Sequence, residues 1–317
     1  MTDPAICVDH LVKIYRRTGS PELRAVDDLS FTVRRGAIFG LLGPNGAGKT
    51  TTLRILTTIV RPTSGTAAVL GYDVAGQPLE VRRRIGVVIQ EQAADLLLTV
   101  RENLLTFARF HGLTGPGPRR RADEVMEWFD LQSIAAQKVQ DLSGGSRRRV
   151  QVAKMFMVDL PIIFLDEFST GMDPILKRAV MDRLRGEAAR GRTIVLTTHV
   201  LTEAEELCDD ILIINKGRRV AHGSLNALKL LTDRLYDVIL SFERLPDGLA
   251  DIVAGYRPDV FDVSHNTVHL RVRDEESRVL ELVAALSKKE RVLRVEINGA
   301  SLEDVFVALT RGAEETR

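Results

Sequence analysis

Gly43-Pro44-Asn45-Gly46-Ala47-Gly48-Lys49-Thr50 sits between an apolar run, Ala37–Leu42, and a segment with helical spacing at Leu53, Leu56 and Ile59. It matches G-x-x-x-x-G-K-[ST] in the strand-to-helix setting that this pattern requires. Successive backbone N–H groups can curl around phosphate oxygens only where glycine accepts a positive φ and leaves no Cβ in the way. The helix that follows aims the positive end of its dipole at the same anion. Lys49 then supplies a point charge for the β and γ phosphates, and the Thr50 hydroxyl a ligand for Mg2+, with Thr51 counted beside it in the site. The stretch predicts binding of a nucleoside triphosphate.

Working outward, the short apolar runs Ile85–Ile89, Ile162–Leu165, Thr193–Thr197 and Ile211–Ile214 read as buried strands with helical patterns between them. That alternation predicts an α/β fold with a largely parallel sheet. Ile162–Leu165 runs into Asp166 and Glu167, and the end of such a strand emerges where open α/β sheets hold their ligands. Asp166 is thus expected to hold Mg2+ beside Thr50, and Glu167 to polarise an attacking water as general base. An acidic pair after a strand is common, and it is the phosphate loop upstream that gives this pair a meaning. His199 follows the run Thr193–Thr198 and is expected on the same sheet edge, contacting the γ-phosphate and orienting the water or Glu167.

Gly112–Pro118 is turn-rich and separates two helical stretches, Val100–His111 and Arg119–Asp130. Neighbouring helices without a strand between them predict a helical subdomain, about residues 91–158, inserted into the sheet domain. Trp128 and Phe129 read as packing residues. Beyond residues 222–230 glycine thins out and the charge turns from net basic to net acidic. The expected division is a nucleotide-binding domain, 1–224, and a small α+β domain, 225–317. In the latter, Asp237–Phe242, Thr267–Val272 and Val292–Ile297 read as strands, Leu280–Leu286 and Leu302–Leu309 as helices. Ser301, with Asp304 three residues on, fits an N-cap.

The 317 residues carry 44 Lys and Arg against 43 Asp and Glu, a net charge of +1. That balance argues against a general polyanion binder. The arginine triplets Arg119–Arg121 and Arg147–Arg149 lack interleaved aromatics and read as solvated helix faces, so no nucleic acid is expected. Cys7 and Cys208 form no disulfide framework or metal-ligand spacing, as in a reducing compartment. No secretory signal or bilayer-spanning run is read, so service to a membrane would go through a partner.

Leu142-Ser143-Gly144-Gly145-Ser146 lies between the phosphate loop and Asp166, just before a helical run at Val150, Val152, Ala153 and Phe156. A serine and two glycines at a helix N-terminus form a second anion site. The stretch is similar to LSGGQ, and the ordered set of motifs resembles the ATP-binding cassette (ABC) ATPases. The resemblance implies a P-loop cassette with ATP and Mg2+. It also implies a dimer in which each ATP lies between one phosphate loop and the partner's Ser143, Gly144 and Gly145. Tyr15, in LVKIYRR, resembles the aromatic that stacks on adenine. Gln90, closing IGVVIQ, resembles the glutamine that touches Mg2+ and opens the loop facing the membrane partner. Asp173, in STGMDP, resembles the aspartate that communicates across the dimer. Ser146 stands where Gln is usual, and Phe168 and Ser169 where Pro and Thr are usual. Neither departure removes a phosphate or metal ligand.

The short spacing from Lys49 through Ser143 to Asp166 leaves no room for the long coiled coil of chromosome-maintenance ATPases. A single phosphate loop also disfavours the two-cassette translation factors. The ending, GRRVAHGSLNALK through SLEDVFVALT, resembles drug-resistance and related lipid, polysaccharide or sodium exporter subunits. The leading expectation is the ATPase subunit of an exporter, bound to a separate permease at the cytoplasmic face of the membrane. A soluble ABC ATPase acting on nucleic acid or ribosomes is the alternative. An unrelated P-loop kinase or GTPase is a third, and the chain has no guanine-reading N-K-x-D stretch.

Overall fold

The computed structural model describes residues 3–16, 21–88, 94–231, 235–273 and 276–315. The chain divides into two compact units, Met1–His222 and Gly223–Arg317.

The first unit is built on two sheets. The larger has six strands in the order Arg218–Gly223, Asp210–Asn215, Ile38–Leu42, Thr193–Thr198, Ile162–Asp166 and Ile85–Val88. From Asp210–Asn215 to Ile85–Val88 the pairings are parallel. Ile38–Leu42, Ile162–Asp166 and Thr193–Thr198 are buried along their whole length, and this is why they appear in the sequence as mainly apolar runs without polar alternation. The smaller sheet, in the order Leu23–Val33, Ile6–Tyr15, Ser64–Val69 and Tyr72–Asp73, is antiparallel. It was not expected. Its two long strands break their period-two pattern at register shifts, where His10 (φ 47°) and Asp28 (φ 56°) take positive φ. Ile6, Leu11, Leu29 and Phe31 of this sheet share one core with Phe39, Phe164, Val195 and Leu212 of the parallel sheet. Leu53 and Leu56 belong to that core too, so the helix Lys49–Leu56 is gripped between the sheets. The Phe31 and Phe39 rings stack at 5.5 Å.

The helical subdomain contains Val100–Phe110, Pro116–Trp128 and Gly144–Lys154. Thr99 and Glu102 form a reciprocal capping box that starts the first helix. The second begins at Pro116, three residues before the expected Arg119. Proline is pre-set for the first helical turn and lacks an N–H that would go unpaired there, so the Gly-Pro tract opens the helix instead of standing apart from it. Phe129 is buried as expected. Trp128 is half-buried, sandwiched between Arg121 at 4.5 Å and Arg183 at 3.8 Å from its ring centre.

The second unit is a four-stranded antiparallel sheet, Val260–Ser264, Thr267–Arg273, Leu235–Phe242 and Val292–Gly299. Alternate residues Val238, Leu240 and Phe242 pack with Val268, Leu270 and Val272 under Val253, Val279, Leu282 and Leu286 from the helices Leu249–Ala254 and Glu276–Ser287. Ser301 caps the helix Leu302–Glu315, its hydroxyl accepting from the Asp304 N–H at 3.1 Å.

Candidate functional site

Parallel pairing aligns Leu42 with Thr198, and Asp166 with Thr197. The residues that follow each strand, the phosphate loop, Glu167 and His199, therefore leave the sheet at one edge.

The phosphate loop needs its glycines for separate reasons. Gly46 (φ 80°) and Gly48 (φ 104°) adopt the left-handed region. A Cβ on Gly43 would lie 2.3 Å from the Ile214 carbonyl oxygen, and one on Gly48 2.3 Å from that of Ala25. Pro44, Asn45 and Gly46 are exposed, whereas Ala47 is buried and accepts from the Gly217 N–H at 2.9 Å. Lys49 is buried, and its Nζ donates to the carbonyls of Gly43 at 2.7 Å and Pro44 at 3.1 Å. Desolvation pulls its ammonium below the usual lysine range, and the charges of Glu167 and Asp166 oppose that. A buried cation resting on its own loop carbonyls is ready to be handed to an anion. Thr50 and Thr51 stay partly exposed at the helix start. Thr52, which the sequence did not single out, braces the loop through its hydroxyl to the Gly48 carbonyl at 2.9 Å.

Asp166 is buried; its Oδ1 accepts from the Thr197 hydroxyl, and its Oδ2 has no hydrogen-bond partner. An orphaned carboxylate oxygen is costly unless a cation or its water satisfies it. The orphaned Asp166 carboxylate oxygen, with the partly exposed Thr50 at the start of the helix that follows the phosphate loop, therefore fits Mg2+, a hard cation that prefers oxygen and uses few protein ligands when phosphates supply the rest. Glu167 has φ 50°, its N–H donates to the Thr197 carbonyl at 3.0 Å, and its Oε1 lies 3.1 Å from His199 Nδ1. Glu167 and His199 are thus in hydrogen-bond contact at the sheet edge where the sequence expected both.

Behind this pair stands Glu203, buried on the helix Leu201–Leu207. Its carboxylate accepts from Ser169 at 2.9 Å and Thr198 at 3.2 Å, and it pairs with Lys177 at 3.2 Å. Ser169 keeps the hydroxyl of the usual Thr, and Phe168, fully buried, anchors the segment where Pro is usual.

Ser143 N-caps the helix Gly144–Lys154, its hydroxyl accepting from the Ser146 N–H at 3.2 Å. Ser143 and Gly144 are exposed, and a Cβ on Gly144 would meet open space. Gly145 is different, because a Cβ there would lie 2.2 Å from the Gly171 carbonyl oxygen. Gly145→Ala is expected to push the start of this helix aside and lower turnover by about tenfold or more, as angstrom-scale misplacement does. Steady-state ATPase assays check this, and an unchanged rate would show that the close approach is immaterial. Asp173 caps the helix Pro174–Ala189 through the Leu176 N–H at 3.0 Å. Tyr15 ends its strand half-buried, with Lys13 Nζ 5.1 Å from its ring centre. Gln90 lies outside the described residues.

Arg147–Arg149 are not a solvated face. Arg147 donates to the Leu142 and Gln140 carbonyls, and Arg149 to the Asp130 carbonyl at 3.1 Å. Arg148 is buried and reaches the carbonyls of Asp166 and Glu167. The backbone of this chain uses these cations. Of the other triplet, Arg119 and Arg120 are exposed as expected, while Arg121 stacks on Trp128.

Residues 26–170 match the ABC transporter family. The daunorubicin resistance ATP-binding protein DrrA2 of Streptomyces coeruleorubidus is 40% identical over 91% of this chain and 91% of its own. The Nod factor export ATP-binding protein I of Paraburkholderia xenovorans is 39% identical over 98% of each chain. Among solved structures, an ATP-binding subunit of an ABC transporter is 29% identical with a TM-score of 0.66, covering 72% of this chain and 92% of that one. A dimeric ATP-binding cassette in a post-hydrolysis state, bound to ADP and Pi, is 26% identical with a TM-score of 0.65, covering 69% and 98%. The chain belongs to the ATP-binding subunits of ABC transporters: it binds ATP and hydrolyses it to ADP and phosphate.

Proposed function

We propose that the chain is the ATPase of an exporter for a drug, lipid or glycan-type cargo, acting as a cassette dimer on a separate permease. The observation that carries this reading is the convergence of Lys49, Asp166, Glu167 and His199 at one sheet edge, with Ser143 and Gly144 exposed at a second helix N-terminus. A half-site of this kind calls for a second surface to complete it.

In the cycle, the triphosphate settles on the backbone N–H groups of Gly43–Thr50, and Lys49 turns from its loop carbonyls to the β and γ phosphates. Adenine stacks on Tyr15. Thr50 and Asp166 would hold Mg2+, with Gln90 carried over from the family, and the ion would supply positive charge against the phosphates. Glu167 takes a proton from the attacking water while His199 fixes its carboxylate. Ser143, Gly144 and Gly145 of the second copy grip the γ-phosphate, so two bound ATP molecules favour the closed dimer. Loss of the γ-phosphate removes that grip. Asp173 passes the change across the dimer, and the segment after Gln90 with the helical subdomain passes it to the permease.

The names of the similar proteins, daunorubicin resistance and Nod factor export, support export. Among the described residues no helix is long and apolar enough to cross a membrane; in this reading the chain sits peripherally at the cytoplasmic face, on a separate permease. We assign the second unit to accessory contacts between copies. Phe261 and Val263, 41% and 39% exposed on its edge strand, support that assignment.

Co-expression with the neighbouring genes and purification through this chain tests the reading. A polytopic membrane protein is expected to copurify in stoichiometric amount and to alter the ATPase rate. Ribosomes or DNA in its place would overturn it.

A further inference from the structure

The helix Gly144–Lys154 starts at Ser143 and carries Arg148 into the interior. A buried guanidinium loses its hydration and is tolerated only where polar acceptors replace the water. Here Nη1 donates to Gln151 Oε1 at 2.9 Å, while Nη2 donates to the Asp166 carbonyl and, at 2.9 Å, to the Glu167 carbonyl. Two successive carbonyls are thus held by one nitrogen, at the point where the strand Ile162–Asp166 gives way to Glu167.

Glu167 is also where the backbone leaves the usual regions. Its φ of 50° lies in the left-handed region, which crowds Cβ against the backbone in any residue but glycine. Such a conformation persists only where its surroundings over-determine it. The Thr197 carbonyl fixes the N–H side and Arg148 the C=O side. The carboxylate is thereby aimed at His199.

We propose that Arg148 is the positioning residue of this ATPase: it holds Glu167 in its left-handed conformation and ties the base to the helix that begins at the signature of the same chain. This rests on the reading of Glu167 as general base. A second contact runs parallel to it, because Gly145 packs against the Gly171 backbone, just beyond Glu167. The start of the signature helix and the segment carrying the base are therefore fastened at two points.

The test uses the full chain with Arg148→Met, which keeps the aliphatic stem and removes the donors, and Arg148→Lys, whose ammonium can still donate to both carbonyls. The Met variant is expected to lose about 10- to 100-fold in kcat, the scale of an angstrom misplacement. Its KM for ATP and its affinity for a non-hydrolysable ATP analogue are expected to stay within about threefold, because the phosphate loop is untouched. The Lys variant is expected to regain most of the lost kcat. A Met variant within about twofold of the parent kcat, a Lys variant no better than Met, or a loss of analogue binding in step with kcat would each overturn the proposal. Should the Met chain unfold at the assay temperature, Arg148→Leu, which likewise carries no donor, is read on the same criteria. Glu167→Gln, assayed beside them, separates the two claims. If it loses turnover while Arg148→Met keeps it, only the positioning role falls; if it keeps turnover itself, the reading of the base falls.

Discussion

Glu167→Gln is expected to lower ATP turnover by about 10²–10⁴-fold while ATP binding persists, the range for losing a general base. The substitution nearly preserves shape. An amide can still hydrogen-bond His199 Nδ1, 3.1 Å from the present carboxylate, but it cannot accept the proton of the attacking water. Binding should survive because the phosphate loop, Lys49 and Asp166 make their bonds without the Glu167 carboxylate. With the γ-phosphate never removed, ATP-bound dimers should accumulate. Turnover assays and size-exclusion runs with ATP measure both effects, and normal turnover would contradict the assigned role.

Lys49→Ala should act at the other end of the cycle. The buried ammonium donates to the Gly43 and Pro44 carbonyls, and in the proposed cycle the bound triphosphate takes over those charge-assisted bonds. Losing one such bond costs about 1.5–3 kcal/mol, which is roughly a 10- to 100-fold weaker affinity for MgATP. Turnover falls further, because the same charge is needed as the γ-phosphate departs. Lys49→Met, which keeps the stem, should behave alike and so assigns the effect to charge and not to packing. Calorimetric titration with MgATP gives the affinity; an unchanged value would count against the phosphate-loop reading.

The phosphate loop, the acidic strand end and His199 were legible because their chemistry is local: each follows an apolar strand that is buried from end to end. The antiparallel sheet was hidden for the opposite reason, since bulges near His10 and Asp28 shift the strands out of simple alternation. Pro116 looked like a turn residue because a proline at the first position of a helix and one in a loop read alike in sequence. Arg148 was missed for a non-local reason. Three adjacent arginines carry no mark of which one faces inward, and its partners, the Asp166 and Glu167 carbonyls, are backbone atoms that a side-chain pattern cannot point to. Glu203 was hidden likewise, because only the fold gathers Ser169, Thr198 and Lys177 around it.

The central claim is that each ATP is completed by a second copy, with Lys49 from one chain and Ser143 from the other. Mixing a Lys49→Ala chain with a Ser143→Arg chain tests it, because each mixed dimer then holds one composite site with both residues intact. The account predicts ATPase activity in the mixture that neither folded variant shows alone; a mixture as inactive as its components would contradict it.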